Sequence, residues 1–256
     1  MKAKRNKIFT VSFWRVVGYF IIYSVLGFAV ETVYGFVTKG VWESRQSFLY
    51  GPFCGIYGLG ALVLMFCLKP FKKNKITLFF GGFIVGSVVE YLMSFAGEVL
   101  FNVKWWDYSG VPLNLNGRIC VQFSVFWGAL GIILIDYLNP AIDRAVELAQ
   151  RRVPAKWFKT AEMVICLFLI FDISATVVAL KLFYVRMVAE YDLKVANQAV
   201  FEKGYQVIYG NEKRASFVCR YFGDEKMLKT FPNLKLENTD GEIIYFEDLL
   251  SDTAED

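Results

Sequence analysis

Val16–Phe36 reads VVGYFIIYSVLGFAVETVYGF, with Glu31 its only charge. At about 1.5 Å per residue these 21 residues would cover about 31 Å, the thickness of a bilayer's hydrocarbon. The run is too long for the apolar core of a cleavable leader and no A-x-A site follows, so it reads as a first transmembrane helix. Working outward, similar runs occur at Gly51–Leu68, Ile76–Phe95, Ile119–Leu138 and Met163–Leu182. The composition agrees: 56% hydrophobic and 20% charged residues, with a mean hydropathy of +0.41, exceed what a soluble domain carries. The expected fold is therefore an all-α integral membrane protein of five transmembrane helices with a small extramembrane α+β C-terminal tail.

Charge gives the orientation. Segments 1–15, 69–75 and 139–162 hold 14 basic residues, whereas 37–50 and 96–118 hold only Lys39, Arg45, Lys104 and Arg118. The positive-inside rule then places the N-terminus in the cytoplasm and the two aromatic-rich loops outside. An odd number of spans carries the tail outside as well, in a multi-pass protein of the plasma membrane. From residue 181 onward the chain has 10 basic and 14 acidic residues, against 18 and 10 before it, so a basic membrane unit precedes an acidic tail. The expected organisation is a basic N-terminus (1–15), a four-helix membrane unit (16–138), a basic amphipathic linker (139–160), a fifth helix (163–182) and the tail (183–256).

An internal repeat runs through the membrane unit. Gly27-Phe28-Ala29-Val30-Glu31 is matched by Gly86-Ser87-Val88-Val89-Glu90, Trp42-Glu43-Ser44 by Trp106-Asp107-Tyr108-Ser109, and Gly51-Pro52-Phe53-Cys54 by Gly117-Arg118-Ile119-Cys120. The matches keep their order, which predicts a tandem duplicated helical hairpin whose copies share a site at their interface. Glu31 and Glu90 are the natural occupants. An ionised carboxylate facing lipid costs on the order of 2–3 kcal/mol or more, so both should face protein or water. Gly27, Glu31 and Gly35 share one helical stripe, as do Gly82, Gly86 and Glu90, which puts the acids on faces where helices can approach closely. If the two acids converge, like-charge repulsion and desolvation favour a pair that holds a proton or a cation; each could instead only hydrogen-bond a neighbouring helix.

Residues 105–128 carry Trp105-Trp106-Asp107-Tyr108-Ser109, Pro112, Asn114, Asn116-Gly117-Arg118-Ile119-Cys120 and Trp127-Gly128. The aromatics suit an interfacial belt. Asp107, Asn114, Asn116 and Arg118 suit either a binding mouth or a loop braced by an Asp107–Arg118 pair. This string resembles the ABC-transporter type IV (CmpB-like) membrane family, over roughly residues 16–145. The resemblance implies a permease-like component of a transport system and brings with it neither a substrate nor catalytic residues.

Asp172, midway along the fifth run with Ser174 and Thr176 nearby, is expected to bond another helix of the bundle or of a second copy, or to relay a proton or cation. The absence of histidine excludes His-based catalysis and the usual zinc and haem sites. No G-x-x-x-x-G-K-[ST] loop occurs, so ATP hydrolysis would belong to a separate subunit. The residues at 139–153 alternate Ile142, Val146, Ala149 and Val153 with Arg144, Arg151 and Arg152, suiting anionic lipid or such a partner. Five spans are few for a transport path, so a homodimer is expected; nothing in the sequence calls for a cofactor or for nucleic acid. Two other readings stay open: an integral-membrane enzyme on lipid-linked or envelope substrates, and a non-transporting scaffold or sensor.

Five cysteines make no disulfide framework; Cys67 and Cys166 should be buried in helices, and Cys54 and Cys120 hold equivalent positions of the repeat. In the tail, Tyr184, Met187, Val188, Tyr191 and Val195 keep a helical stripe, so the fifth helix is expected to continue outward, ending before residue 204. Leu234–Glu237 and Glu242–Phe246 flank an Asp240-Gly241 turn, predicting a hairpin. A tail of this size would lean on the membrane part.

Overall fold

The computed structural model describes residues 13–252, with side chains to Leu250; the lysines and arginine at 2–7 and the acidic end at 255–256 lie outside the described residues. The chain is mostly helical. α1 (Phe13–Lys39), α3 (Lys75–Phe101), α4 with its continuation (Val121–Arg152) and α6 (Ala155–Glu190) are four helices long and apolar enough to cross a membrane. α2 (Gly55–Leu68) is shorter, with 14 residues extended by a 3-10 turn at Lys69–Phe71. Its start explains its length. Cys54 N–H donates to Ser24 C=O at 2.8 Å, and Ser24 lies 15 residues before the end of α1, about 22 Å down the helix. The connection 40–54 therefore descends along α1 before α2 begins.

Local sequence sets the ends. Asn74 caps α3 by accepting from Ile76 N–H at 2.9 Å, and Asn102 closes it in the left-handed conformation (φ 59°). α4 (Val121–Ile133) passes through a π turn at Leu134–Leu138 into α5 (Asn139–Arg152), whose Pro140 sits where the first turn tolerates a missing N–H. At that end of the bundle Tyr19 and Arg15 of α1 both reach Asp143, and Tyr23 reaches Asn139. Two antiparallel pairs, α1 with α2 and α3 with α4, make the bundle, and α2 also packs on α3. One apolar core, with Leu64, Leu68, Leu78, Trp127 and Leu134, lies between them.

Long rows of apolar side chains stay exposed on the outer faces: Val30, Val33 and Val37 on α1; Val88, Leu92 and Val99 on α3; Ile170, Phe171 and Val178 on α6. Such faces belong in lipid. Cys67 and Cys166 are not buried, Cys67 being exposed and Cys166 half-buried. On helices surrounded by lipid, an apolar position need not face protein.

The tail forms a second core around the end of α6. The helix runs on past residue 182 and stops at Glu190, within the stripe that reached Val195, where Asp192 and Asn197 adopt positive φ (47° and 62°). α7 (Gln198–Tyr209), α8 (Glu212–Phe222) and α9 (Asp224–Thr230) follow, then the hairpin of β3 (Lys235–Glu237) and β4 (Ile243–Tyr245) and the short α10 (Phe246–Asp252). β3 and β4 pair antiparallel with Leu236 opposite Ile244, and Gly241 (φ 83°) makes the turn. Phe183, Met187, Met227, Leu234, Leu236 and Phe246 fill this core, and Leu49 and Val103 of the two loops join it. Lys104 and Lys235 exchange backbone hydrogen bonds of 2.7 and 3.1 Å, so tail and loops share one end of the molecule.

Candidate functional site

The glycines explain how the two acids are held. A Cβ at Gly27 would collide with Tyr57 of α2, and one at Gly86 with Trp127 of α4. In each case the missing side chain lets an aromatic ring from the next helix lie across the helix, with its polar atom reaching the carboxylate one turn on. Tyr57 O–H donates to Glu31 Oε1 at 2.6 Å, and Trp127 Nε1–H donates to Glu90 Oε2 at 3.0 Å. Glu90 Oε1 accepts from Tyr108 O–H at 2.9 Å. The Tyr57 and Trp127 rings lie 6.2 Å apart. Glu31, Tyr57, Trp127, Glu90 and Tyr108 thus form one connected group drawn from four helices and a loop. Glu90 is 4% exposed, and Glu31 is half-buried. None of the ion pairs among the described residues involves either acid.

Two loops fold down beside this group. Loop 40–54 runs along the second half of α1, with the Arg45 guanidinium against Gly35 and an ion pair from Arg45 to Glu43 at 3.1 Å. Loop 102–118 runs along the second half of α3, where Arg118 pairs with Glu98 at 2.7 Å, donates to Ser94 Oγ at 3.4 Å and lies over the Tyr91 and Phe95 rings. On the same turns α1 and α3 present exposed apolar side chains outward. Irregular backbone at membrane depth is tolerated only where protein or a water-filled cavity surrounds it.

The remaining sequence-selected residues separate. Asp107 accepts from Ser109 Oγ–H at 2.7 Å and Ser109 N–H at 3.2 Å, and does not pair with Arg118 as the loop-bracing reading expected. The loop turns at Gly117 (φ 65°), where a Cβ would strike Asp107, while Arg118 points away to α3. Asn114 donates to Val111 C=O at 2.9 Å and accepts from Gly117 N–H at 3.0 Å, and Asn116 donates to Tyr91 O–H at 3.1 Å. Asn114–Leu115 (β1) pairs with Ile119–Cys120 (β2). Asp172 lies apart from the acid group. It is 0% exposed and accepts from the backbone N–H of Tyr50 at 2.9 Å, while Thr176 Oγ accepts from Leu49 N–H at 2.8 Å. Its partner is thus a loop, where a helix was expected, because loop 40–54 is packed between α1 and α6.

Sequence reading missed Tyr57 and gave no role to Tyr108 or Trp127. The G-x-x-x-E spacing signals a close approach at the glycine but not which ring fills it. Cys54 and Cys120 are buried and unpaired. Among the described residues no group of three or more His, Cys, Asp or Glu could hold a metal ion.

Residues 18–177, more than half of the chain, match the family model described as "Putative ABC-transporter type IV". The chain belongs to that family. The match takes in both loops, the acid group and Asp172, and stops within α6 before the tail core. Membership makes this an ABC-transporter-related membrane protein. Neither a search of curated proteins nor one of solved structures finds a match.

Proposed function

We propose that this protein is a permease-like membrane subunit of a transport system, and that the Glu31–Glu90 group is its binding site for a proton or a cation. The observation that carries the reading is the contact set of the acids: both carboxylates are held by neutral O–H and N–H donors, and neither takes part in an ion pair among the described residues. Two acids joined through neighbouring rings in a low-dielectric region attract positive charge from outside the protein. With phenol and indole donors already on the oxygens, a proton fits the group better than a stripped metal ion, which requires several free oxygen ligands.

The two loops, with Asp107, Asn114, Asn116 and Arg118 shaping the second, form the outer entrance to this acidic site. A duplicated hairpin is supported by the paired contacts: Gly27 and Gly86 each take an aromatic ring, Glu31 and Glu90 each accept from that ring, and an arginine lies against Gly35 and Ser94 one turn on. Five crossings, with a cytoplasmic N-terminus and the tail outside in a plasma membrane, are supported by the shared end of loops and tail. Asp172 serves as the anchor of loop 40–54. The exposed Arg144, Leu148, Arg151 and Arg152 of α5 offer lipid or a separate ATPase subunit a surface at the opposite end, and a homodimer supplies a larger path.

The test has two parts. Tagged protein solubilised mildly from its own cell should bring down a P-loop ATPase in stoichiometric amount; recovery of copies of itself alone overturns the ATPase-coupled reading. Infrared difference spectra across a pH step should show a carboxylic C=O band that disappears in Glu31→Gln with Glu90→Gln. A band unchanged in that double variant overturns the site.

A further inference from the structure

α6 changes surroundings within one turn. Up to Val178 its outer face is exposed and apolar, with Ile170, Phe171 and Ile173, while Ala179, Leu180, Phe183, Tyr184, Arg186, Met187 and Val188 are all buried by the tail. The lipid boundary therefore lies near Val178–Lys181. The α7–α8 hairpin descends toward it: Phe201 packs edge-on against Tyr184 at 5.0 Å, Gly204 lies beside Val185, and Ile208 reaches Leu182. Leu182 is four residues, about 6 Å, beyond Val178.

At this tip a groove of about 320 Å³ opens between Leu182, Ile208, Phe217 and Val218, with Lys213 and Arg214 at its edge. Beside it Val207 and Phe217 are 63% and 58% exposed. Lys213, Arg214 and Arg220 take part in none of the ion pairs among the described residues; the acids nearest in sequence are Glu212 to Lys213 and Arg214, and Asp224 to Arg220. Exposed apolar side chains interleaved with basic ones, continuous with a lipid-facing helix, match a bilayer's interfacial zone.

We propose that this hairpin tip seats an anionic phospholipid of the adjoining leaflet, with its upper acyl segment in the groove against Leu182 and Phe217 and its phosphate held by Lys213 and Arg214. The tip lies outside the residues that match the family, so the inference stands or falls independently of the transport reading.

The test is amide exchange of the full-length protein in nanodiscs of phosphatidylcholine, alone or mixed with phosphatidylglycerol. Residues 207–217 should exchange several-fold more slowly in the mixed discs, and Lys213→Gln with Arg214→Gln should remove the difference. Exchange of 235–245, unchanged by the substitutions, shows that the tail stays folded. Arg214 also donates to Val207 C=O at 2.8 Å, so Lys213→Gln alone, which spares that bond, should reduce the difference by itself. Equal exchange in the two discs, or a response to phosphatidylglycerol that survives the double substitution, overturns the proposal.

Discussion

The first hairpin, α1 with α2, and the second, α3 with α4, hold their acids by the same device and brace their loops by different ones. Glu90 takes two donors and is almost fully buried, and its loop is closed by its own parts: the β1–β2 pairing, Asp107 on Ser109, Asn114 on Gly117 and Arg118 on Glu98. Glu31 takes Tyr57, and loop 40–54 depends on elements from far along the chain. Asp172 and Thr176 hold its backbone, and Lys226 of the tail lies over the Tyr50 ring at 4.7 Å. Both loops reach the tail, the second through Val103 and the Lys104–Lys235 backbone pair, but the first is in addition held by side chains of α6. α6 and the tail are where the position of the first loop is set.

Substitution can break or sharpen that contrast. The largest effects should come where the hairpins agree. Gly86→Ala and Gly27→Ala each push a methyl into a ring from the next helix, costing about 1–3 kcal/mol or more, visible as a lowered Tm in detergent, whereas Gly110→Ala, with nothing within 4 Å, should leave Tm unchanged. A harmless Gly27→Ala would mean that the first pair is not packed as closely as the second.

Next, Asp172→Ala leaves the Tyr50 N–H without its acceptor, about 1–3 kcal/mol. Amide exchange should speed up at 47–54 and stay as it was at 106–118; equal change in both loops would erase the contrast. The reverse holds for Arg118→Ala, which costs about 1 kcal/mol and should loosen 108–118 alone. The smallest effect belongs to Tyr57→Phe. It removes the Tyr57 donor to Glu31 for about 0.5–1.5 kcal/mol and should shift part of the carboxyl infrared signal while the part due to Glu90 persists. A spectrum identical to wild type would detach Tyr57 from the acid group.

Much of this was legible in order along the chain. Val16–Phe36 announces a helix by its length and apolarity, and Asp240-Gly241 announces a turn, because each depends on neighbours within a few residues. The acids at 31 and 90 stood out for the same reason, as charges inside runs that otherwise exclude them. Arg118 was legible as a candidate and misread in its partner. Glu98 sits 20 residues away on α3, and only the fold of the loop brings it nearer than Asp107 to the guanidinium.

Composition and periodicity by themselves determined that the chain is a helical membrane protein, where its acids lie along the helices and that a small hairpin ends the tail. Tertiary structure decided which ring each glycine admits, that Tyr57 and Trp127 join the two acids, and that α6 anchors the first loop. Those outcomes turn on contacts between segments many residues apart. Such contacts depend on which helix faces pack, and on a membrane helix, where lipid and protein accept the same apolar side chains, hydrophobicity does not tell those faces apart.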